Sequence, residues 1–161
     1  MKSSFSFFEQ IARNAHLIYK VEELPDSQLH PFDNRNIYSS FPGKVRTLFD
    51  DGYYSESTFE AFKFIDKKVQ QHSSLRKSGL KLMMEAFNEN APLIQLTPLS
   101  NESEIDEQSG YRFLFSGGVQ AIRNPRGHEV GIRDDPDTCL DHLAFATLLL
   151  RRLEQAGFQI Q

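Results

Sequence analysis

The chain has 161 residues, of which 39% are apolar and 25% charged, enough for one domain with a real core and too few for two comfortable ones. Its net charge of −4 excludes a whole-surface attraction to nucleic acid, so any such contact has to be local. Cys139 is the one cysteine, which excludes an intrachain disulfide; no apolar stretch approaches membrane-spanning length, and "MKSSFSFFEQIARNA" turns polar too early for a secretory signal. These features predict a soluble, cytoplasmic protein. Fourteen phenylalanines and no tryptophan predict a core of Phe and Leu.

Residues 5–19 carry Phe8, Ile11, Ala12, Ala15 and Tyr19 at helical spacing, which predicts a first helix. "EELPDSQLHPFDNRN" reads as a linker. The next run places Val45, Leu48 and Phe49 on one face and stops at Gly52. Phe59, Phe62, Ile65 and Val69 then recur at steps of three or four. They predict an amphipathic helix with a basic outer face near its end, at Lys67 and Lys68. "GLKLMMEAFNEN" predicts a shorter helix. "APLIQLTPLSNESEIDEQSG" reads as a short extended piece at Leu93, Ile94 and Leu96, followed by a long solvated connection.

Helical spacing resumes with Tyr111, Leu114, Phe115, Val119 and Ile122. Gly117 and Gly118 sit in the middle of this run and predict a kink or a close backbone approach. The last helix is the best marked. Asp135 is its N-cap, Pro136 its N1 residue and Asp137 its acidic first turn. Leu140, Leu143, Ala144, Thr147 and Leu148 form its stripe, widened by Phe145, Leu149 and Leu153. Arg151, Arg152 and Gly157 mark its end. The expected fold is an all-α bundle of about five helices.

Between the last two helices lies "AIRNPRGHEVGIRDD". A residue before proline is pushed out of the helical region, so Pro125 predicts a helix end near Arg123 or Asn124. In an unbroken helix, positions 123 and 128 stand about 140° apart at 100° per residue. A break at Pro125 and Gly127 lets Arg123 and His128 converge. Arg126 and Arg133 add positive charge for RNA phosphate. Arginine presents a planar fork that suits phosphate oxygens, and histidine exchanges protons near neutral pH. The set is therefore compatible with metal-independent RNA cleavage: His128 takes the 2′-hydroxyl proton, Arg123 stabilises the transition-state charge, and Asn124 donates to an oxygen or holds the turn. One chain offers one such histidine, so the mechanism would gain from a symmetric dimer.

The competing reading is a capped helix terminus, and spacing alone favours it, because an arginine five residues before a histidine arises easily by accident. His16, His30, His72 and His142 have weaker cases still. Glu129, Asp134, Asp135 and Asp137 suggest a metal site, but no two histidines are suitably spaced, and capping with solvation accounts for the acids. No glycine-rich phosphate loop is present, and no cofactor is expected.

From His30 to the C-terminus the sequence resembles the Ymh-type family of bacterial and prophage proteins, placed in the HEPN superfamily of helical ribonucleases. The matching pieces are "HP" at 30–31, "LFDDGYYSESTFEAFKFID" at 48–66, "LMMEAF" at 82–87, "DEQSGYRFLFSGGVQAIRNPRGHE" at 106–129 and "LDHLAFATLLLRRLEQAG" at 140–157. HEPN enzymes carry an arginine, a polar residue directly after it, and a histidine four to six residues beyond the arginine. Arg123, Asn124 and His128 meet that pattern; Arg126 stands outside it. The resemblance implies a metal-independent endoribonuclease acting as a homodimer, often a toxin or abortive-infection effector held by an antitoxin. It implies Arg123 and His128 as the catalytic pair. Residues 1–29 lie outside it as an N-terminal extension, with the HEPN-like domain at 30–161. The alternative is a non-catalytic HEPN-like module that binds RNA, nucleotide or a partner protein.

Overall fold

A computed structural model describes residues 29–129 and 131–160. The helix expected at 5–19 lies outside the described residues. From Pro31 onward the elements are α1 (Pro31–Asn34), α2 (Gly43–Asp50), α3 (Tyr54–Ser73), α4 (Gly79–Ala86), α5 (Glu102–Gly117), a π-helical turn (Gly118–Arg123), α6 (Asn124–His128) and α7 (Pro136–Gln155). Among the described residues there is no strand, and the architecture is an all-α bundle.

α3 is the hub. Its Ala61, Phe62, Ile65 and Val69 are fully buried, and it packs against α2, α4, the π turn, α6 and α7. α7 supplies the opposing wall with Leu143, Ala146, Leu149, Leu150 and Leu153. Phe87 and Phe115 stack at 4.3 Å on the far side of the core. Each such ring is worth roughly 1.5–3 kcal/mol of burial, which is why a Phe- and Leu-rich chain of this size holds together.

Part of the expected linker is ordered. Phe32 on α1 packs its ring 5.1 Å from Phe49, and Tyr38 donates from its backbone to Thr147 Oγ1 at 3.0 Å. The Tyr38 hydroxyl donates to Glu154 at 2.6 Å, and burial together with that acceptor pushes its pKa up to about 12. The 91–100 connection forms no strand, yet Ile94 and Leu96 are buried. Gln108, fully buried on α5, replaces a strand partner. It accepts from Leu96 N–H at 2.7 Å and donates to the carbonyls of Phe87 and Ile94 at 3.1 and 3.0 Å.

α7 follows its capping signals, while Leu148 of the expected apolar stripe is exposed. Asp135 accepts from Thr138 N–H at 2.9 Å and from its hydroxyl at 2.7 Å, and Pro136 occupies the first turn. The expected helix end at Pro125 requires correction. Arg123 (φ −71°, ψ −48°) and Asn124 (φ −64°, ψ −44°) are helical, and α5, the π turn and α6 follow one another without interruption to His128. Asn124 N–H bonds to the Val119 carbonyl five residues back. Pro125 lacks an N–H, and its ring would crowd the carbonyl of Ala121 in a regular helix. The wider π turn directly before it relieves that crowding.

The two adjacent glycines prove unlike. A Cβ on Gly118 would stand 2.8 Å from a Phe62 ring carbon and 3.0 Å from one of Phe145. The close approach is therefore by rings from α3 and α7, not by a backbone. Gly117 is exposed and meets nothing within 4 Å. Near their other ends α5 and α7 are joined by Arg152, which pairs with Glu107 at 2.9 Å and covers the Tyr111 ring.

Candidate functional site

The π turn delivers Arg123 onto α3. Its guanidinium lies over the Phe59 ring, 5.3 Å from the centroid, and Nη1 donates to Asn124 Oδ1 at 3.1 Å. Its Nε is buried and has no hydrogen-bond partner among the described residues. Gly127 sits one turn further on. A Cβ there would lie 2.6 Å from Phe59, so the missing side chain is what lets the ring rest beside the helix. Lys63 Nζ is 5.9 Å from the same ring centroid. A half-buried aromatic thus carries two cations, an arrangement worth about 0.5–1 kcal/mol per exposed pair.

His128 ends α6, is exposed, and makes no hydrogen bond among the described residues. Because the chain stays helical from 123 to 128, its side chain leaves the helix about 140° from that of Arg123. The structure brings Arg123 and Asn124 together, and among the described residues no hydrogen bond joins Arg123 to His128. The expected convergence rested on a break at Pro125, and the π turn removed the need for one.

Arg126 is also a correction. Its Nε donates to Asp134 Oδ2 at 2.6 Å and its Nη2 to Oδ1 at 2.5 Å, while Nη1 donates to the Ile122 carbonyl at 2.8 Å. The two side chains are only 9% and 5% exposed. This is a buried bidentate ion pair inside the fold, and it leaves no open fork for RNA phosphate. Arg133 remains exposed. It borders a surface groove of about 420 Å³ with Tyr53, Tyr54 and Ile132, at the start of α3. Ser55 holds that loop down by donating to the Ile132 carbonyl at 3.1 Å and accepting from Asp134 N–H at 2.8 Å.

His142 is the residue that spacing could not reveal. Its Nδ1 lies 4.0 Å from Asp134 Oδ2 and is buried without a hydrogen bond among the described residues. Burial, then the neighbouring Arg126 charge, holds its pKa below the usual histidine value, against the opposing pull of Asp134 and Asp141. Cys139 lies nearby on α7, with its thiol pushed up by burial. Three of the four acids considered for a metal site have other work: Asp134 pairs with Arg126, Asp135 caps α7, and Asp137 reaches Arg35 at 3.3 Å; among the described residues no three metal-ligating side chains gather.

Fold and site together define a small helical bundle in which a long helix with a π turn ends in a cationic, partly exposed corner. A family model described as "Protein of unknown function (Hypoth_ymh)" matches residues 38–153, which covers α2, the Arg123–His128 corner and most of α7. The chain belongs to this Ymh family. No curated protein and no solved structure matches it.

Proposed function

We propose that this protein is a metal-independent endoribonuclease of the HEPN type, working as a homodimer in the cytoplasm. One observation carries the reading: a π turn presents Arg123 with a buried Nε that has no partner among the described residues, beside Asn124, and the same helix ends in an exposed His128 that makes no hydrogen bond among them. π turns are costly and recur at functional sites. In the proposed reaction His128 takes the ribose 2′-hydroxyl proton, the 2′-oxygen bonds to phosphorus, and the bond from phosphorus to the 5′-oxygen breaks. The departing 5′-oxygen is protonated by the second copy's imidazole. The products are a 2′,3′-cyclic phosphate and a 5′-hydroxyl. Arg123 offers its fork to the transition-state charge, and Arg133 is the remaining candidate for a flanking phosphate. The biological setting that fits is a toxin or phage-defence effector restrained by an antitoxin.

That no hydrogen bond joins Arg123 to His128 among the described residues favours a second reading, a non-catalytic module that binds RNA, nucleotide or a partner protein. A second copy has to supply the missing group if the first reading holds. Purified protein incubated with total RNA in EDTA separates them. Cleavage with cyclic-phosphate ends is expected, with His128→Ala and Arg123→Lys each reducing the rate about 100- to 1000-fold. Wild-type cleavage by His128→Ala, or none by the native protein, promotes the binding module.

A further inference from the structure

Six cations fall between residues 61 and 84, at Lys63, Lys67, Lys68, Arg76, Lys77 and Lys81; Asp66 is the one carboxylate inside that span, and of the two at its edges Glu85 takes Lys77 and Glu60 faces Lys63. Asp66 is 3% exposed and is occupied by Gly79 N–H at 2.7 Å, so it opposes none of that charge at the surface. A concentrated basic region on a chain of net charge −4 is the electrostatic footprint of a local polyanion site.

Its geometry leads to Arg123. Lys63 and Lys67 stand one turn apart on the outer face of α3, about 6 Å along the axis. Lys63 reaches Glu60 at 3.1 Å, but Lys44 already pairs with the same carboxylate oxygen at 3.0 Å, which leaves one positive charge in excess. Among the described residues the Lys67 ammonium donates only to the neutral Gln70 amide oxygen, at 3.1 Å. Gln70 in turn donates to the Lys77 carbonyl at 2.6 Å, which pins the α3–α4 loop beside this face. Arg76 in that loop is exposed and has no charge partner among the described residues. At the near end, Lys63 and Arg123 share the Phe59 ring.

We infer that the outer face of α3, from Phe59 to the Arg76 loop, is a track for the sugar–phosphate backbone of single-stranded RNA that leads the strand to Arg123. The identity of the polymer rests on the ribonuclease reading. The contacts are to phosphate and are independent of sequence, because lysines on a helix face read charge and not base edges.

The test uses the full chain and a fluorescein-labelled 2′-O-methyl RNA 12-mer, which binds but offers no 2′-hydroxyl for attack. Anisotropy is measured across a potassium chloride series for the native protein and for the triple variant Lys63→Gln, Lys67→Gln, Arg76→Gln. Each lost phosphate contact lowers the slope of log K against log salt by about 0.7 on single strands, so a drop near 2 is expected, with unchanged circular dichroism. The track is overturned if the native chain fails to bind at low salt, or if the triple variant keeps affinity and slope. It is equally overturned if polyglutamate competes as well as RNA, which would assign the face to an acidic protein. Salt-dependent binding lost in the variant, with no cleavage by the native chain, removes the nuclease reading and leaves the track standing.

Discussion

Two prolines divide the molecule's helices into two kinds. Pro136 sits at the start of α7, behind the Asp135 cap, where its missing N–H costs nothing. Pro125 sits inside a helix that continues past it to His128, and the chain accommodates it with a π turn pressed between Phe62 and Phe145. α7 is therefore explained by its own residues. The helix with the π turn is explained by its neighbours, and Arg123 lies where the neighbours decide. A helix held in register by contacts from elsewhere can aim a side chain that local rules would leave pointing into solvent.

The largest expected effect tests that dependence at the Arg126–Asp134 pair. Asp134→Asn leaves a guanidinium buried without its counter-charge, and urea unfolding should show a loss of about 3–5 kcal/mol. The exposed pair Arg35–Asp137, with side chains 42% and 82% exposed, is the control: Asp137→Asn should cost about 0–1 kcal/mol. Next, the prolines can be exchanged in kind. Ala144→Pro in the middle of α7 should cost about 3 kcal/mol or more. Pro125→Ala should change stability far less, since the π turn has already absorbed the ring. Equal costs at the two positions would refute the distinction.

The glycines sharpen it further. Gly118→Ala drives a methyl into two phenyl rings and should cost about 1–3 kcal/mol. Gly117→Ala, in open space at helical φ, should gain about 0.4–1 kcal/mol. The smallest effects appear in the pH dependence of unfolding. His142 has a depressed pKa in the fold, so the unfolded chain binds more protons as pH falls below the ordinary value of 6.5, and stability declines from there downward. Asp135, held below its ordinary 3.8 by its bonds to Thr138, contributes stability that is full above that value and is lost only as pH falls through its lower folded pKa. His142→Leu should flatten the first decline and leave the second; Asp135→Ala should do the reverse.

The amino-acid order by itself determined the all-α class, the face of α3 that turns inward, and both ends of α7. Those features follow from periodicity and from caps whose partners lie three or four residues away, as between Asp135 and Thr138. It also placed Arg123, Asn124 and His128 in one short segment. Tertiary structure decided what those residues face. Whether Pro125 ends a helix or rides a π turn depends on Phe62 and Phe145, and the seat of Arg123 depends on Phe59, 64 positions earlier in the chain. Arg126 adds positive charge around Pro125, and nothing near it in the sequence shows that this charge is taken. Asp134 claims it only when the 131–135 loop is folded back and held by Ser55. Local hydrogen bonds and side-chain periods are written into neighbouring residues, whereas the pairing of buried charges and the seating of rings against glycines exist only once distant segments have been packed together.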